Sequence, residues 1–126
     1  ALCGHYGVPV AVITGDEATC REGRELVGEK LRAVAVKKGL SRYSARNIPP
    51  VRARRMIQDG VTEALRKREW PRPYVPAKPT TITIDLSTVD SANEFMGRAG
   101  VEVVEPLKVL SRGADWMTAW NQIWHY

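Results

Sequence analysis

The hydrophobic pattern of the first forty residues alternates between extended and helical segments. Residues 8–14 are apolar on both faces and rich in β-branched side chains, which is typical of a strand buried on both sides in a parallel sheet, with Pro9 confined to its beginning. A polar helix is predicted over residues 17–27, and a second strand over residues 31–37, ending before Gly39. Because strand and helix alternate, this segment is predicted to form an α/β unit.

The longest predicted helix begins at Pro50 and ends at Trp70. Its apolar side chains recur at three- and four-residue spacing and form one buried stripe: Ala53, Met56, Ile57, Gly60, Val61, Ala64 and Leu65. Residues 40–48, which precede this helix, follow neither period, and a short turn or a broken helix is predicted there. After the helix, repeated prolines mark residues 71–79 as an extended connector.

The pattern changes beyond the connector. Residues 81–86 alternate between polar and apolar side chains, as in a strand with one solvated face, and a helix is expected to begin at Asp90 or Ser91. Two short strands near residues 101–104 and 107–110 precede a closing helix. The prediction is therefore the end of a parallel-type α/β sheet unit (residues 1–70), a connector (residues 71–79) and a smaller α+β domain (residues 80–126).

Composition and charge narrow the function classes. The 126 residues contain neither a long apolar run nor a basic start followed by an apolar stretch, so no membrane span and no signal peptide are predicted. Cys3 and Cys20 form no disulfide framework, which favours a cytoplasmic setting. The net charge of +5 is spread along the chain. Arg55 with Asp59 is an i,i+4 pair of a solvated helix face, so nucleic-acid binding is the weaker interpretation.

Candidate chemistry is sparse. The chain has none of the common catalytic motifs, and its two histidines, His5 and His125, stand at opposite ends, so no catalytic residue and no metal ligand are predicted within it. Asp16 and Glu17 follow the first strand, at the edge where open α/β sheets place their ligands. These side chains either cap the next helix or bind an ammonium group or a metal.

Three further polar residues follow the second strand. Lys37 ends that predicted strand, and Ser41 and Arg42 come shortly after it. If the two strands are parallel, these groups reach the same edge as Asp16; the alternative is a surface turn. Because Asp16 stands at this edge, an Asp16→Asn change in a complete enzyme is expected to harm turnover more than folding. A variant that instead melts several degrees lower and keeps its activity would make Asp16 a helix cap.

The closing helix carries three tryptophans at four-residue spacing, Trp116, Trp120 and Trp124. An aromatic binding surface is one interpretation, and a core or subunit-contact stripe is the favoured one. Together with Ile123 they cover a wider arc than one buried stripe needs. We therefore predict that at least one of these indoles lies against another subunit or another part of the protein.

Residues 4–17 read GHYGVPVAVITGDE and resemble a helix-to-strand segment of the zinc-dependent D-aminopeptidases. The likeness continues in residues 35–37, in Ser41 with Arg42 and in Pro50, and residues 114–120 follow more loosely. The resemblance implies hydrolysis of short peptides or amides with an N-terminal D-amino acid, D-alanine above all. It also implies a two-zinc centre that activates water and a ring-like homo-oligomer.

The same resemblance implies that the zinc ligands and the catalytic histidine lie upstream of residue 1, in an N-terminal half of the enzyme. None of these residues has a counterpart here, so the chain alone is expected to be inactive. Asp16, Glu17, Lys37, Ser41 and Arg42 match family motif positions and are candidates for the edge of the substrate site. The missing initiator Met and the absence of a helix stop at Tyr126 also indicate part of a longer protein. A non-catalytic interaction or assembly domain is the main alternative.

Overall fold

The computed structural model describes residues 1–124, which divide into two compact units. The first comprises Gly7–Tyr74, and the second comprises Ala1–Tyr6 together with the described residues from Val75 onwards. This mixed α/β architecture confirms the predicted fold class, while the domain boundaries stay a prediction. In chain order the elements are α1 (Leu2–His5), β1 (Val12–Asp16), α2 (Glu17–Val27), β2 (Arg32–Ser41), β3 (Ser44–Asn47), α3 (Pro50–Lys67), β4 (Thr80–Asp85), α4 (Val89–Asn93), β5 (Val101–Glu105), β6 (Lys108–Gly113) and α5 (Trp116–Ile123).

The first unit is built on a three-stranded sheet in the order β1-β2-β3. β1 and β2 are parallel, with Ile13 opposite Ala33, whereas β2 and β3 are antiparallel. α2 connects the parallel strands and packs so closely that a Cβ on Gly23 would lie 3.0 Å from Ile13 Cδ1. α3 approaches Val34 in the same way through Gly60. Ile13 lies opposite Ala33 and points to the same face of the sheet, whereas Val34, the next residue of β2, points to the other face. The two helices therefore cover opposite faces of the sheet.

β1 lies at the edge of this sheet, although its apolar sequence is typical of a central strand. The strand begins at Val12, later than the sequence predicts, and its side chains are half-buried or exposed rather than enclosed on both sides. Within residues 1–124 no strand pairs with the outer edge of β1. A three-stranded sheet is too narrow to bury an edge strand, which explains the difference.

Residues 40–48 belong to a β-hairpin, in which a short turn at residues 42–43 joins two strands; the predicted broken helix is wrong, and the predicted short turn covers only part of this segment. β2 continues through Gly39 to Ser41, and β3 returns antiparallel to it, so that Lys37 lies within the strand rather than at its end. The Oγ atoms of Ser41 and Ser44 are 2.7 Å apart and close the turn. All four residues of β3 are exposed, so no apolar alternation betrays the strand, and its backbone pairing with β2 defines it.

The helix ends also differ from the predicted ones. α3 ends earlier than expected, because Arg68 adopts the left-handed conformation (φ 52°) as its C-cap. α4 is capped by Thr88, whose Oγ1 accepts from the N–H of Ser91 at 3.2 Å, rather than by Asp90 or Ser91. None of the helices described here has the length and the apolar character needed to cross a membrane.

The second unit is an antiparallel sheet in the order β4-β6-β5 against which α5 packs. Val109 and Ser111 of β6 are fully buried, and Ser111 Oγ donates to the carbonyl oxygen of Ala119 at 2.8 Å. The Gln122 amide satisfies its surroundings when its nitrogen is assigned to the side facing the sheet, where it can donate to the carbonyl oxygen of Gly100 at 3.1 Å. These polar contacts fix α5 on the sheet and thereby fix the direction of its tryptophans.

Candidate functional site at the carboxyl edge of the first sheet

Asp16 stands where β1 ends and α2 begins. One carboxylate oxygen accepts from the backbone N–H of Ala18 at 2.9 Å, which makes Asp16 the N-cap of α2. The other accepts from the N–H of Gly39 on β2 at 2.6 Å. A side chain at Gly39 would crowd this bond, since a Cβ there would lie 3.3 Å from Asp16 Oδ2. Both carboxylate oxygens thus accept hydrogen bonds from backbone N–H groups, and this geometry favours the interpretation of Asp16 as a helix cap.

Glu17 and Lys38 reinforce the same junction. Glu17 is the first residue of α2, where a carboxylate is stabilised by the helix dipole, and its Oε2 lies 3.2 Å from Lys38 Nζ. Both side chains are about half exposed, so this ion pair contributes little to stability by itself. Together with Asp16 it ties the β2–β3 hairpin to the start of α2.

The environment of Asp16 favours its ionised form. The hydrogen bond from the Ala18 N–H lowers the pKa of the Asp16 carboxyl below its ordinary value, and partial burial opposes this. The N–H of Gly39 and the charges of Lys37 and Arg21 lower the pKa further. A carboxyl whose folded-state pKa is depressed stabilises the fold above its unfolded pKa of about 3.9, and that contribution disappears as the pH falls through the lower folded value.

We therefore expect an Asp16→Asn variant to unfold at a lower urea concentration than the wild type at pH 7, because a neutral amide accepts less strongly at the helix start. The difference should begin to shrink as the pH falls below about 4 and should disappear once the pH has passed through the lowered folded-state pKa of Asp16, where the wild-type carboxyl is neutral as well. Urea unfolding followed by circular dichroism at both pH values measures this. Asp59→Asn, on the exposed side of α3, is the control of equal charge change. Equal midpoints for Asp16→Asn and wild type at pH 7 would contradict the prediction.

The structure brings together only some of the residues predicted for this edge. Lys37 pairs in register with Asp16 across the parallel strands, so the two are neighbours. Ser41 and Arg42 lie instead at the exposed tip of the hairpin, about 13 Å further along the strand at the usual rise per residue. The Arg42 guanidinium packs over the Tyr43 ring at 5.5 Å. The sheet edge therefore consists of Asp16, Glu17 and Lys37, without the tip residues.

A groove of about 300 Å³ opens beside this edge, between the hairpin and the start of α3. We call it the cationic groove. Its charged lining residues are Lys37, Lys38, Arg46, Arg52 and Glu17. Sequence reasoning missed Arg46 and Arg52. Only the unpredicted hairpin places Arg46 opposite Lys38, and no spacing in the sequence reveals this. Four cationic side chains and one carboxylate line the groove, so its net charge is positive.

The tryptophans of α5 form a stacked row on the second unit. The ring centroids of Trp116 and Trp120 are 5.0 Å apart, and those of Trp120 and Trp124 are 4.2 Å apart. Trp124 is 40% exposed and the other two are half-buried, while Ala119 and Ile123 of the same helix are buried. The row thus flanks the buried face of α5, and its outer surface is available for contact.

The comparison with known proteins rests on nearly the whole chain. The family model described as D-aminopeptidase matches residues 1–125. The chain belongs to the D-aminopeptidase family. A curated D-aminopeptidase of Bacillus subtilis (strain 168) is 26% identical over 102 residues, which is 81% of this chain and 37% of that protein.

Among solved structures of the D-aminopeptidase family, the chain resembles the zinc-dependent D-aminopeptidase DppA from Bacillus subtilis, described as a self-compartmentalizing protease. The TM-score is 0.86 at 23% identity, over 97% of this chain and 44% of the DppA chain. This likeness shows that the two share a fold. The chain spans less than half the length of each of these relatives.

The described residues do not fit a zinc centre. A catalytic zinc is held by about three His, Cys, Asp or Glu ligands in one place. Within residues 1–124 no group of three or more such side chains is arranged to hold a metal ion. The oxygens of Asp16 already accept from backbone amides, and Cys20 is buried against the sheet. His125 lies outside the described residues.

Proposed function

We propose that this chain is part of a metal-dependent aminopeptidase that hydrolyses peptides or amides carrying an N-terminal D-amino acid of the D-alanine type. The observation that carries the proposal is the family match over residues 1–125. The zinc requirement is taken over from DppA. Because residues 1–124 offer no metal cluster, we assign the two-zinc site and the catalytic residues to the N-terminal half of the enzyme.

The first unit offers a surface on which that other half can pack. β1 has an open edge within the described residues and an apolar sequence suited to the interior of a parallel sheet. Each of the two helices that cover the sheet also exposes large apolar side chains. These are Leu26 on α2 and Val51 and Leu65 on α3. The relatives have more than half of their length outside the matched region. We therefore propose that a strand from that additional chain extends the sheet at β1.

Assembly and location complete the proposal. DppA is self-compartmentalizing, and we extend a ring-like homo-oligomer to this enzyme, with the tryptophan row of α5 as a contact between subunits. Asp16, Glu17 and Lys37 are proposed to border the substrate site, where their part is to hold the sheet edge in place. Cys3 is exposed and Cys20 is buried, and neither forms a disulfide, in keeping with a cytoplasmic enzyme.

The test of this function uses the complete enzyme. We expect it to release p-nitroaniline from D-alanyl-p-nitroanilide at least about a hundredfold faster than from the L-isomer, since a shaped site distinguishes enantiomers by several kcal/mol. Removal of metal with a chelator should abolish the activity, and added zinc should restore it. Equal rates on both enantiomers, or activity that survives chelation, would refute the proposal. An assembly with no hydrolytic activity would favour the interaction-domain alternative.

A further inference from the structure

We propose that the cationic groove binds a small oxyanion, the carboxylate or phosphate group of a ligand. Glu17 is the one carboxylate among the described residues that line it, and Glu17 Oε2 lies 3.2 Å from Lys38 Nζ. Among the described residues, no carboxylate lies within ion-pair distance of Lys37, Arg46 or Arg52. The Asp16 carboxylate beside Lys37 already accepts from two backbone N–H groups, so the cations of the groove outnumber the carboxylates near them. Cations gathered in this way repel each other, and a bound anion relieves the repulsion.

Three separate backbone segments bring these cations together. Lys37 and Lys38 come from β2, and Arg46 comes from β3, where it pairs in register with Lys38. Arg52 comes from the first turn of α3, an eighteen-residue helix whose N-cap, Pro49, provides no side-chain cap. The positive end of the α3 dipole therefore adds to the side-chain charges in the same groove. The hairpin is held in this position by the bond from Gly39 to Asp16.

The chemistry of the lining suits an oxyanion better than other ligands. The guanidinium of an arginine presents parallel N–H donors that match the two oxygens of a carboxylate or phosphate, and two arginines are present. Asn47 adds an amide to the same lining. A volume of about 300 Å³ is at the small end of ligand sites, so the groove fits a terminal group or a small molecule. It also lies at the carboxyl edge of β1 and β2, where α/β sheets bind ligands.

Two sources can supply such a group, the C-terminal carboxylate of a short peptide or a phosphate. The peptide source rests on the proposed function, whereas the site itself does not. The test is a titration of the 126-residue chain, by calorimetry and by NMR, with inorganic phosphate, with D-alanyl-D-alanine and with the C-terminal amide of that dipeptide. We expect saturable binding of phosphate, of the dipeptide or of both, little binding of the amide, and resonance shifts confined to residues 37–38 and 46–52.

Variants with the same change in charge, inside and outside the groove, decide whether the groove is the place where the anion binds. Arg46→Gln and Arg52→Gln should each weaken binding about tenfold, because each removes a charge-assisted hydrogen-bond donor. Arg54→Gln, an exposed change on the same helix outside the groove, should change it less than about twofold. Thermal unfolding of each variant checks that the fold is intact, and either groove variant suffices if the other unfolds.

The outcomes separate the sources and the failures. If D-alanyl-D-alanine binds and its C-terminal amide does not, the ligand group is the carboxylate of a peptide. If only inorganic phosphate binds, the ligand group is a phosphate. Either result supports the site. No saturable binding of either compound, or equal weakening by Arg54→Gln, overturns it. Resonance shifts spread over all basic surfaces, as non-specific attraction of small anions to positive charges would produce, overturn it as well. Phosphate binding by an enzyme that lacks D-aminopeptidase activity would refute the proposed function and leave the groove standing.

Discussion

The 126-residue chain by itself is expected to release no p-nitroaniline from D-alanyl-p-nitroanilide, even with zinc added. The physical reason is the number of metal ligands that this chain can offer. A zinc ion that activates water needs about three protein ligands converging on one point and an open position. The described residues bring no three potential ligands together, so any zinc bound is held by one or two scattered side chains. We expect an affinity weaker than about micromolar.

Calorimetry with zinc and a colorimetric assay measure this prediction, with the complete enzyme assayed in parallel. The comparison variants are Cys3→Ala and His5→Ala, which remove two exposed side chains of α1 that can ligate zinc. They should weaken the residual zinc binding and leave unfolding unchanged. Stoichiometric zinc binding below micromolar, or measurable turnover by the chain alone, would show that a metal centre forms within it and would refute the assignment to the N-terminal half.

Much of the first unit could be predicted from the sequence, because its elements are marked by local signals. The parallel pair β1 and β2 appears as two apolar runs separated by a polar helix, and Asp16 stands in the position of an N-cap. α3 shows its buried stripe at helical spacing. Each of these features depends on residues close together in the chain.

The hairpin could not be predicted, because its cause is not local. Gly39 resembles a strand stop, yet it lies within β2 since its lack of a side chain allows Asp16 to reach its N–H. The turn at Arg42 and Tyr43 lacks the Asn-Gly or Asp-Gly signal of tight hairpins. Once the hairpin is missed, Arg46 cannot be placed beside Lys38, and the cationic groove is missed with it.

The burial of β1 was mispredicted for a related reason. Its sequence suits a strand with neighbours on both sides, but the described residues provide a neighbour on one side only. The apolar side chains of β1 are suited to a more enclosed position than the one they occupy in residues 1–124. This mismatch between sequence and exposure is the reason for the proposal above that further chain packs at β1.

A Trp120→Ala variant of the complete enzyme is expected to dissociate at protein concentrations at which the wild type stays assembled. Trp120 is the middle ring of the stacked row, 5.0 Å from Trp116 and 4.2 Å from Trp124. Its removal leaves a gap that the outer rings cannot fill, and tryptophans at the centre of interfaces commonly contribute 2 kcal/mol or more, which corresponds to about thirtyfold in the dissociation constant. Sedimentation velocity over a dilution series measures this change.

Two further variants separate assembly from folding. Trp124→Ala removes the most exposed ring of the row and should weaken association with less effect on folding, because this side chain is 40% exposed. Met96→Ala removes another exposed apolar side chain of the same unit, 68% exposed and outside the row, and should leave association unchanged. A complete enzyme that is monomeric, or a Trp120→Ala variant that assembles like the wild type, would rule out the row as a subunit contact. Loss of assembly in the tryptophan variants alone would place the contact on this face of α5, because Met96 is also apolar and more exposed but lies outside the row.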